Sequence, residues 1–246
     1  MYNFFITKEN KIGDKVRIID TDYNHIKNVL RMKEGDEFLV SLDGASHLCT
    51  IESLTDTEII AVITKENFQD TSLPVSITLF QGLPKSDKLE LIIQKAVELG
   101  VDEITPVQME RCIVKLDDKK QDGKVSRWQA IAESAAKQSK RTCIPTVNAP
   151  LSFNKMLEKA KTYDLFIVPY ESENGMQSTK DTLSKIKSGH KIGVLIGPEG
   201  GFSQKEITLA KEQGAKIVSL GKRILRTETA AMTALSMIML YAEMKL

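Results

Sequence analysis

Over the first 72 residues, apolar and polar positions partly alternate in short runs: "KVRIID", "EFLVSLD", "HLCTIESL" and "EIIAVITKE". These runs are rich in β-branched residues and are broken by turn signals at Gly13-Asp14, Gly35-Asp36 and Asp43-Gly44, so they predict strands. One short helix interrupts them at "TDYNHIKNVLRM", where Ile26, Val29 and Leu30 share a helical face. Short strands at such close spacing predict a small barrel. From residue 73 the period changes. "VSITLFQGL", "EITPVQM", "YDLFIVPYE", "KIGVLI" and "KIVSLG" read as buried strands. Between them, "KSDKLELIIQKAVELG" reads as an amphipathic helix closed by Gly100, and "SRWQAIAESAAKQSK" as a second helix. "SQKEITLAKEQGA" is a third, with Ser203 and Glu206 spaced as a capping box. Strands alternating with helices predict a parallel sheet covered on both faces. The boundary falls near "NFQDTSLP", giving an α/β chain with a barrel over 1–72 and a second domain over 73–246. The last helix, "ETAAMTALSMIMLYAEMKL", is apolar in almost every direction, which predicts burial on all sides, on its own sheet alone or also on a second subunit.

Composition narrows the class. Of 246 residues 41% are apolar and 27% charged, ordinary for a globular chain with a sizeable core. No apolar run has transmembrane length. The start, "MYNFFITKENKIGDK", has no basic segment followed by a long apolar stretch, so no signal peptide is expected. Cys49, Cys112 and Cys143 lie far apart, form no zinc spacing and are expected as reduced thiols in a cytoplasmic protein with no metal. The net charge of +1 hides an asymmetry: residues 1–72 carry 8 Lys/Arg against 13 Asp/Glu. The window 111–141 carries 9 Lys/Arg against 4 Asp/Glu, which is either a solvated helix face or a phosphate-contacting surface.

Two loops carry candidate chemistry. The first follows a strand and reads "LIGPEGG", residues 195–201. It lacks the dinucleotide fingerprint and the Lys-Ser/Thr pair of a phosphate loop. Pro198 removes a backbone donor, and Glu199 puts negative charge where a phosphate would sit. Gly200 and Gly201 allow a ligand close to bare backbone. The loop therefore suits a phosphate-free, cationic ligand such as S-adenosylmethionine, or it is a tight turn with no ligand. The second loop, "LGKRILRTETAAMTAL", sets Arg223, Arg226 and Glu228 just before a helix. Thr227 is placed as its N-cap and Glu228 in its first turn. Capping does not explain two arginines flanking Ile224 and Leu225, which are suited to wall an adenine while Arg226 meets an anionic substrate.

"LIGPEGG" followed by "LGKRILRTETA" resembles the SPOUT methyltransferases. More narrowly, it resembles the RsmE-like branch that methylates N3 of one uridine in small-subunit (16S) ribosomal RNA. The likeness extends through "HIKNVLRMKEGD", "GLPKSDKLELIIQKAVELG", "ERCIVKLD" and "RWQAIAESAAKQSKR". It implies a PUA-like β-barrel followed by an α/β domain with a trefoil knot over about 165–246, assembled as a homodimer. It implies S-adenosylmethionine against Leu195, Ile196, Gly197, Pro198, Glu199, Gly200 and Gly201 of the first loop. Leu220, Gly221, Ile224 and Leu225 of the second loop, with Thr229 and Ala230 beyond it, complete that site. Tyr170 and Glu171 occupy a third loop of the knot. Two positions depart from the family pattern: Asn3-Phe4-Phe5 stands where an arginine is usual, and Lys222 replaces a common proline.

N3 of uridine must lose its proton before it attacks a methyl group, so the site must supply a base or stabilise the uridine anion. Arg226 is the candidate cation, acting as an oxyanion hole does. Glu199 or Glu228 is the candidate proton acceptor. RNA contacts are expected from Arg31, Arg111, Lys115, Arg127, Lys137 and Arg141, with the target base extruded. A non-catalytic RNA-binding protein and a dinucleotide-dependent oxidoreductase are the rivals, and the intact motifs and missing fingerprint weigh against them.

Overall fold

A computed structural model of the chain describes residues 1–85, 87–114, 121–171 and 175–246. It divides into two compact units, Met1–Ser72 with Ala136–Ile144, and Leu73–Ala135 with Pro145–Leu246. No helix among the described residues is long and apolar enough to cross a membrane.

The first unit is built on six strands: Asn3–Phe5 (β1), Lys11–Ile12 (β2), Lys15–Ile18 (β3), Glu37–Leu42 (β4), Ala45–Leu54 (β5) and Ile59–Lys65 (β6). They form one sheet in the order β1-β4-β5-β6-β3-β2, parallel only between β1 and β4. The expected barrel is therefore a curled half-barrel whose edges, β1 and β2, do not pair with each other. Its inward positions make one core, where Phe4 and Phe38 meet edge to face at 5.5 Å. Cys49 lies in that core, and burial pushes its thiol up to about 12, which removes it from thiolate chemistry.

The helix at "TDYNHIKNVLRM" departs from the expected face. Asp20–Asn24 (α1) is an α-helix, but His25–Leu30 widens to π geometry. The wider turn rotates the side chains: Ile26 is fully buried, while Val29 is 68% exposed. Arg31 ends the turn in the left-handed region, φ +54°.

The piece Ala136–Ile144 completes this unit through specific bonds. Asn3 Nδ2 donates to the Arg141 carbonyl at 3.0 Å, and the Ser41 hydroxyl lies 3.1 Å from the same carbonyl and 3.0 Å from Asn3 Oδ1. Asn3 and Ser41 are both buried, so these partners satisfy groups that water cannot reach. Asn3, at the position where an arginine is usual, is thus a structural residue.

The second unit holds Ser76–Gly82 (β7), Glu103–Gln108 (β8), Thr146–Val147 (β9), Leu151–Ser152 (β10), Leu165–Pro169 (β11), Lys191–Ile196 (β12) and Lys216–Val218 (β13). All pairings are parallel, in the order β10-β8-β7-β12-β11-β13, with β9 also on β8. Its helices are Lys88–Glu98 (α2), Gln121–Gln138 (α3), Phe153–Ala160 (α4), Gln177–Leu183 (α5), Gln204–Glu212 (α6) and Thr227–Lys245 (α7). The central strands are predominantly apolar, as a sheet covered on both faces requires: Ile77, Leu79, Ile167, Val194 and Leu195 are fully buried.

The helix α7 is not buried on all sides. Ala231, Ala234, Leu235, Ile238 and Ala242 face the chain's own core, where α7 packs on α2 and β12. Leu240 and Met244 stand 48% and 69% exposed. The helix is apolar all round, yet its own chain covers one side.

Candidate functional site

The first links of the site are set by strand order. Because β11, β12 and β13 are parallel neighbours, their C-terminal ends deliver three loops to one edge of the sheet. That edge is where ligands bind in open α/β sheets. A cavity of about 400 Å³ lies there, within the range of small-molecule sites. Pro169, Tyr170 and Glu171 line it after β11; Ile196 to Phe202 line it at the end of β12 and beyond; Leu220, Gly221 and Arg223 to Thr227 line it after β13. Ala230 of α7 and Lys88 of α2 complete the wall.

The loops are fixed by buried polar bonds and close packing. Thr227 is the first residue of α7 rather than its N-cap, a position that Arg226 holds without a side-chain cap bond. The Thr227 hydroxyl donates to the Gly197 carbonyl at 2.7 Å and accepts from Gln81 Nε2 at 2.9 Å. One side chain therefore ties the two motif loops to the end of β7. A Cβ on Gly82 would lie 2.6 Å from the Pro198 nitrogen, so Gly82 lets the first loop pass over β7. A Cβ on Gly200 would lie 2.9 Å from the Arg111 Cβ and 3.1 Å from its carbonyl oxygen. Gly200 is bare for the packing of its own chain. Downstream, Ser203 and Glu206 form the expected capping box, and Glu206 Oε1 also accepts from the Glu110 amide at 2.9 Å. In the third loop, the Tyr170 amide donates to Val218 O at 3.0 Å and its ring meets Phe202 edge to face at 6.2 Å.

Charge is concentrated at the cavity edge. Glu199 accepts from the Lys85 amide at 3.0 Å and 3.3 Å, and pairs with Lys88 Nζ at 3.1 Å. Burial works against its ionised form, but hydrogen bonds from its own amide, the Lys85 amide and Lys88 outweigh it and hold the carboxyl below its ordinary range. Lys88 is held above the usual ammonium range, first by its hydrogen bond to Glu199. Glu228 lies 3.5 Å from the same Nζ. Neither Arg223 nor Arg226 pairs with a carboxylate among the described residues.

Most of the expected cofactor residues meet at this cavity. Two of them do not line it: Leu195 is buried inside β12 and Thr229 is exposed on α7; nor does Glu228, the candidate proton acceptor, which lies 3.5 Å from Lys88 Nζ. Lys88, Pro169, Phe202 and Thr227 line it without having been singled out for it.

The expected RNA contacts separate. Arg31 is exposed. Arg127 pairs with Glu90 at 2.9 Å but keeps a side chain 66% exposed. Arg111 Nη1 donates to the Gly200 carbonyl at 3.1 Å. Two need correction: Arg141 is 8% exposed, and Lys137 pairs with Asp22 at 2.9 Å with both side chains largely covered. Neither is placed as a free phosphate contact. Lys115 lies outside the described residues. Among the described residues no group of His, Cys, Asp and Glu is arranged to hold a metal ion.

A sequence model described as an RNA methyltransferase domain matches residues 71–239, and one described as an RNA methyltransferase PUA domain matches 18–64. The chain is 38% identical to the ribosomal RNA small subunit methyltransferase E of Bacillus subtilis, over 92% of this chain and 90% of that one. A crystal structure of ribosomal RNA small subunit methyltransferase E from Neisseria gonorrhoeae, bound to S-adenosylmethionine, superposes with a TM-score of 0.82 at 32% identity, covering 96% of this chain and 95% of that one. A methyltransferase of Legionella pneumophila, also with S-adenosylmethionine bound, superposes with a TM-score of 0.82 at 31% identity, covering 96% of each chain.

Proposed function

The chain belongs to the RNA methyltransferase family that includes the ribosomal RNA small subunit methyltransferase E proteins, and from that premise we propose that it transfers a methyl group from S-adenosylmethionine to N3 of one uridine in small-subunit ribosomal RNA. The observation that carries this reading is the cavity itself. Its glycine-rich wall offers bare backbone, yet Pro198 lacks a donor and Glu199 is held ionised, so phosphate is disfavoured and a cationic, phosphate-free nucleoside fits. In this reading 165–246 carries the knot, and action on ribosomal RNA puts the protein in the cytoplasm.

Bound there, the cofactor supplies an electrophilic methyl group. The residues of this chain do the rest. Ile196, Leu220 and Leu225 give apolar walls for an adenine. Arg226 lines the cavity with no carboxylate partner among the described residues, so its guanidinium is available to the uracil oxygens, where it favours loss of the N3 proton. Glu199 lines the cavity but is a weakened base, because its lone pairs are committed to two amides and Lys88. Glu228 does not line the cavity. We therefore assign Arg226 the stabilisation of the uridine anion and Glu199 a fixed negative charge suited to the sulfonium. Arg31 and Arg127 are the phosphate contacts.

Calorimetry in the presence of a chelator should show S-adenosylmethionine binding and no binding of NAD, and the protein should transfer labelled methyl to small-subunit ribosomal RNA. Tighter binding of NAD, or no transfer, would overturn the reading.

The exposed apolar side of α7 supports a homodimer, since Leu240 and Met244 stand exposed on a helix whose other side packs on its own sheet. Light scattering at micromolar concentration should give the mass of two chains, and Leu240→Glu with Met244→Glu should shift it to one. A monomeric wild-type protein would refute the dimer.

A further inference from the structure

Three charged side chains from distant segments meet at the cavity edge. Lys88 opens α2, Glu199 sits in the loop after β12, and Glu228 lies in the first turn of α7. Lys88 Nζ is 3.1 Å from Glu199 Oε1 and 3.5 Å from Glu228 Oε2. The two carboxylates differ in what else holds them. Glu199 has the Lys85 amide, whereas Glu228 Oε2 is buried with Lys88 Nζ at 3.5 Å as its ion-pair partner among the described residues. Lys88 is the only side-chain cation within ion-pair distance of Glu228 among the described residues.

Two arginines stand at the same cavity, and among the described residues neither takes a carboxylate. Both of these glutamates go to the lysine instead. A compact ammonium with three donors serves two acceptors from different directions, whereas a planar guanidinium favours one carboxylate in a fork. We propose that Lys88 is a positioning residue that keeps Arg226 available for substrate: by holding Glu199 and Glu228 together, it stops either carboxylate from capturing the Arg226 guanidinium. This rests on the methyltransferase reading of the site.

The alternative arrangement follows from the partners that remain when Lys88 is removed. Glu199 keeps its amide bonds, and Glu228 is left with a buried, unpaired oxygen. An unpaired buried charge is costly, so we expect the Glu228 carboxylate to turn to a cavity arginine that takes no carboxylate among the described residues. Arg226 is two residues earlier, at the N-cap of the same helix, and takes no carboxylate among the described residues. Once paired, it no longer meets the uracil oxygens as a free charge.

The test uses the full-length protein with Lys88→Met, Lys88→Arg and the double variant Lys88→Met/Glu228→Gln. Single-turnover methylation at saturating RNA and cofactor should fall about tenfold to a hundredfold in Lys88→Met. Cofactor affinity should stay within about threefold, because uniform binding is not what is lost. Lys88→Arg should keep at least roughly a third of the rate, because a cation remains for both carboxylates. The double variant should return to within about fivefold of wild type, because the capturing carboxylate is gone. A second readout needs no substrate: with RNA and cofactor absent, Nε–H exchange of Arg226 measured by NMR should slow when Lys88 is removed. A wild-type rate in Lys88→Met, no recovery in the double variant, or unchanged Arg226 exchange would overturn the proposal. Wild-type protein that methylates no ribosomal RNA would defeat the functional reading alone, and the Arg226 exchange would still decide the role of Lys88.

Discussion

Replacing Arg226 by alanine is expected to slow methyl transfer by roughly a hundredfold to a thousandfold, the usual loss when one charged donor is removed from a developing anion. RNA affinity should hardly change. The side chain lines the cavity rather than an outer basic surface, and Arg127 and Arg31 remain for phosphates. The fold should also survive, because Arg226 occupies the N-cap of α7 with extended backbone and makes no side-chain cap bond there. Alanine takes that conformation without strain. Single-turnover methylation and filter binding at several salt concentrations, run on the same preparation, separate the two effects. If the variant lost RNA affinity and kept its saturated rate, Arg226 would be one more phosphate contact and the mechanism would be wrong.

The second large effect is structural in origin and functional in outcome. Gly82→Ala should cost cofactor affinity about tenfold to a hundredfold, the equivalent of the overpacking energy when it falls on the loop that lines the site. The added Cβ would lie 2.6 Å from the Pro198 nitrogen, 2.7 Å from its Cδ and 2.9 Å from Met109 Sδ. The methionine end can move; a proline in the middle of the first loop cannot, without carrying Glu199 and Gly200 with it. The neighbouring Gln81 anchors Thr227, so the second loop is disturbed too. Such overpacking typically costs about 1–3 kcal/mol, or roughly 3–10 °C in Tm for a chain of this size. Gly123→Ala is the control: nothing lies within 4 Å of the added Cβ, and the position is inside α3. It should leave cofactor affinity unchanged. Full affinity in Gly82→Ala would mean that the first loop does not need its seat on β7.

The parts of this architecture legible in the sequence are those that depend on local chemistry. Long apolar strands, the Ser203–Glu206 capping box and the anion-hostile Pro198-Glu199 pair all act within a few residues. What could not be read depends on which segments become neighbours. Lys88 reaches the site because β7 lies beside β12, so the residues after β7 emerge at the same sheet edge as the first loop. No spacing in the sequence encodes that adjacency. The basic window 111–141 misled for a similar reason. Charge density there was real, but Lys137 meets Asp22 and Arg141 is buried, so part of the density serves internal pairing. Val29 stands off the face expected of a helix of ordinary pitch because the turn there widens. The exposed side of α7 was hidden by composition: a helix apolar all round looks the same whether its own chain covers one face or all of them.

The interrupted make-up of the first unit has a consequence for biosynthesis. Its polypeptide leaves that unit at residue 72, returns at 136 and departs again at 144. On a ribosome, residues 1–72 are made first, yet the carbonyl that receives Asn3 and Ser41 belongs to Arg141. Until that residue has been synthesised, the buried Asn3 amide on β1 and Ser41 hydroxyl on β4 have only each other, and Asp22 lacks Lys137. Domains usually fold as they emerge, from the N-terminus onward. Here the earliest segment waits for one made midway, so translation order and folding order diverge, and a nascent chain stalled before residue 144 would hold an unfinished first unit.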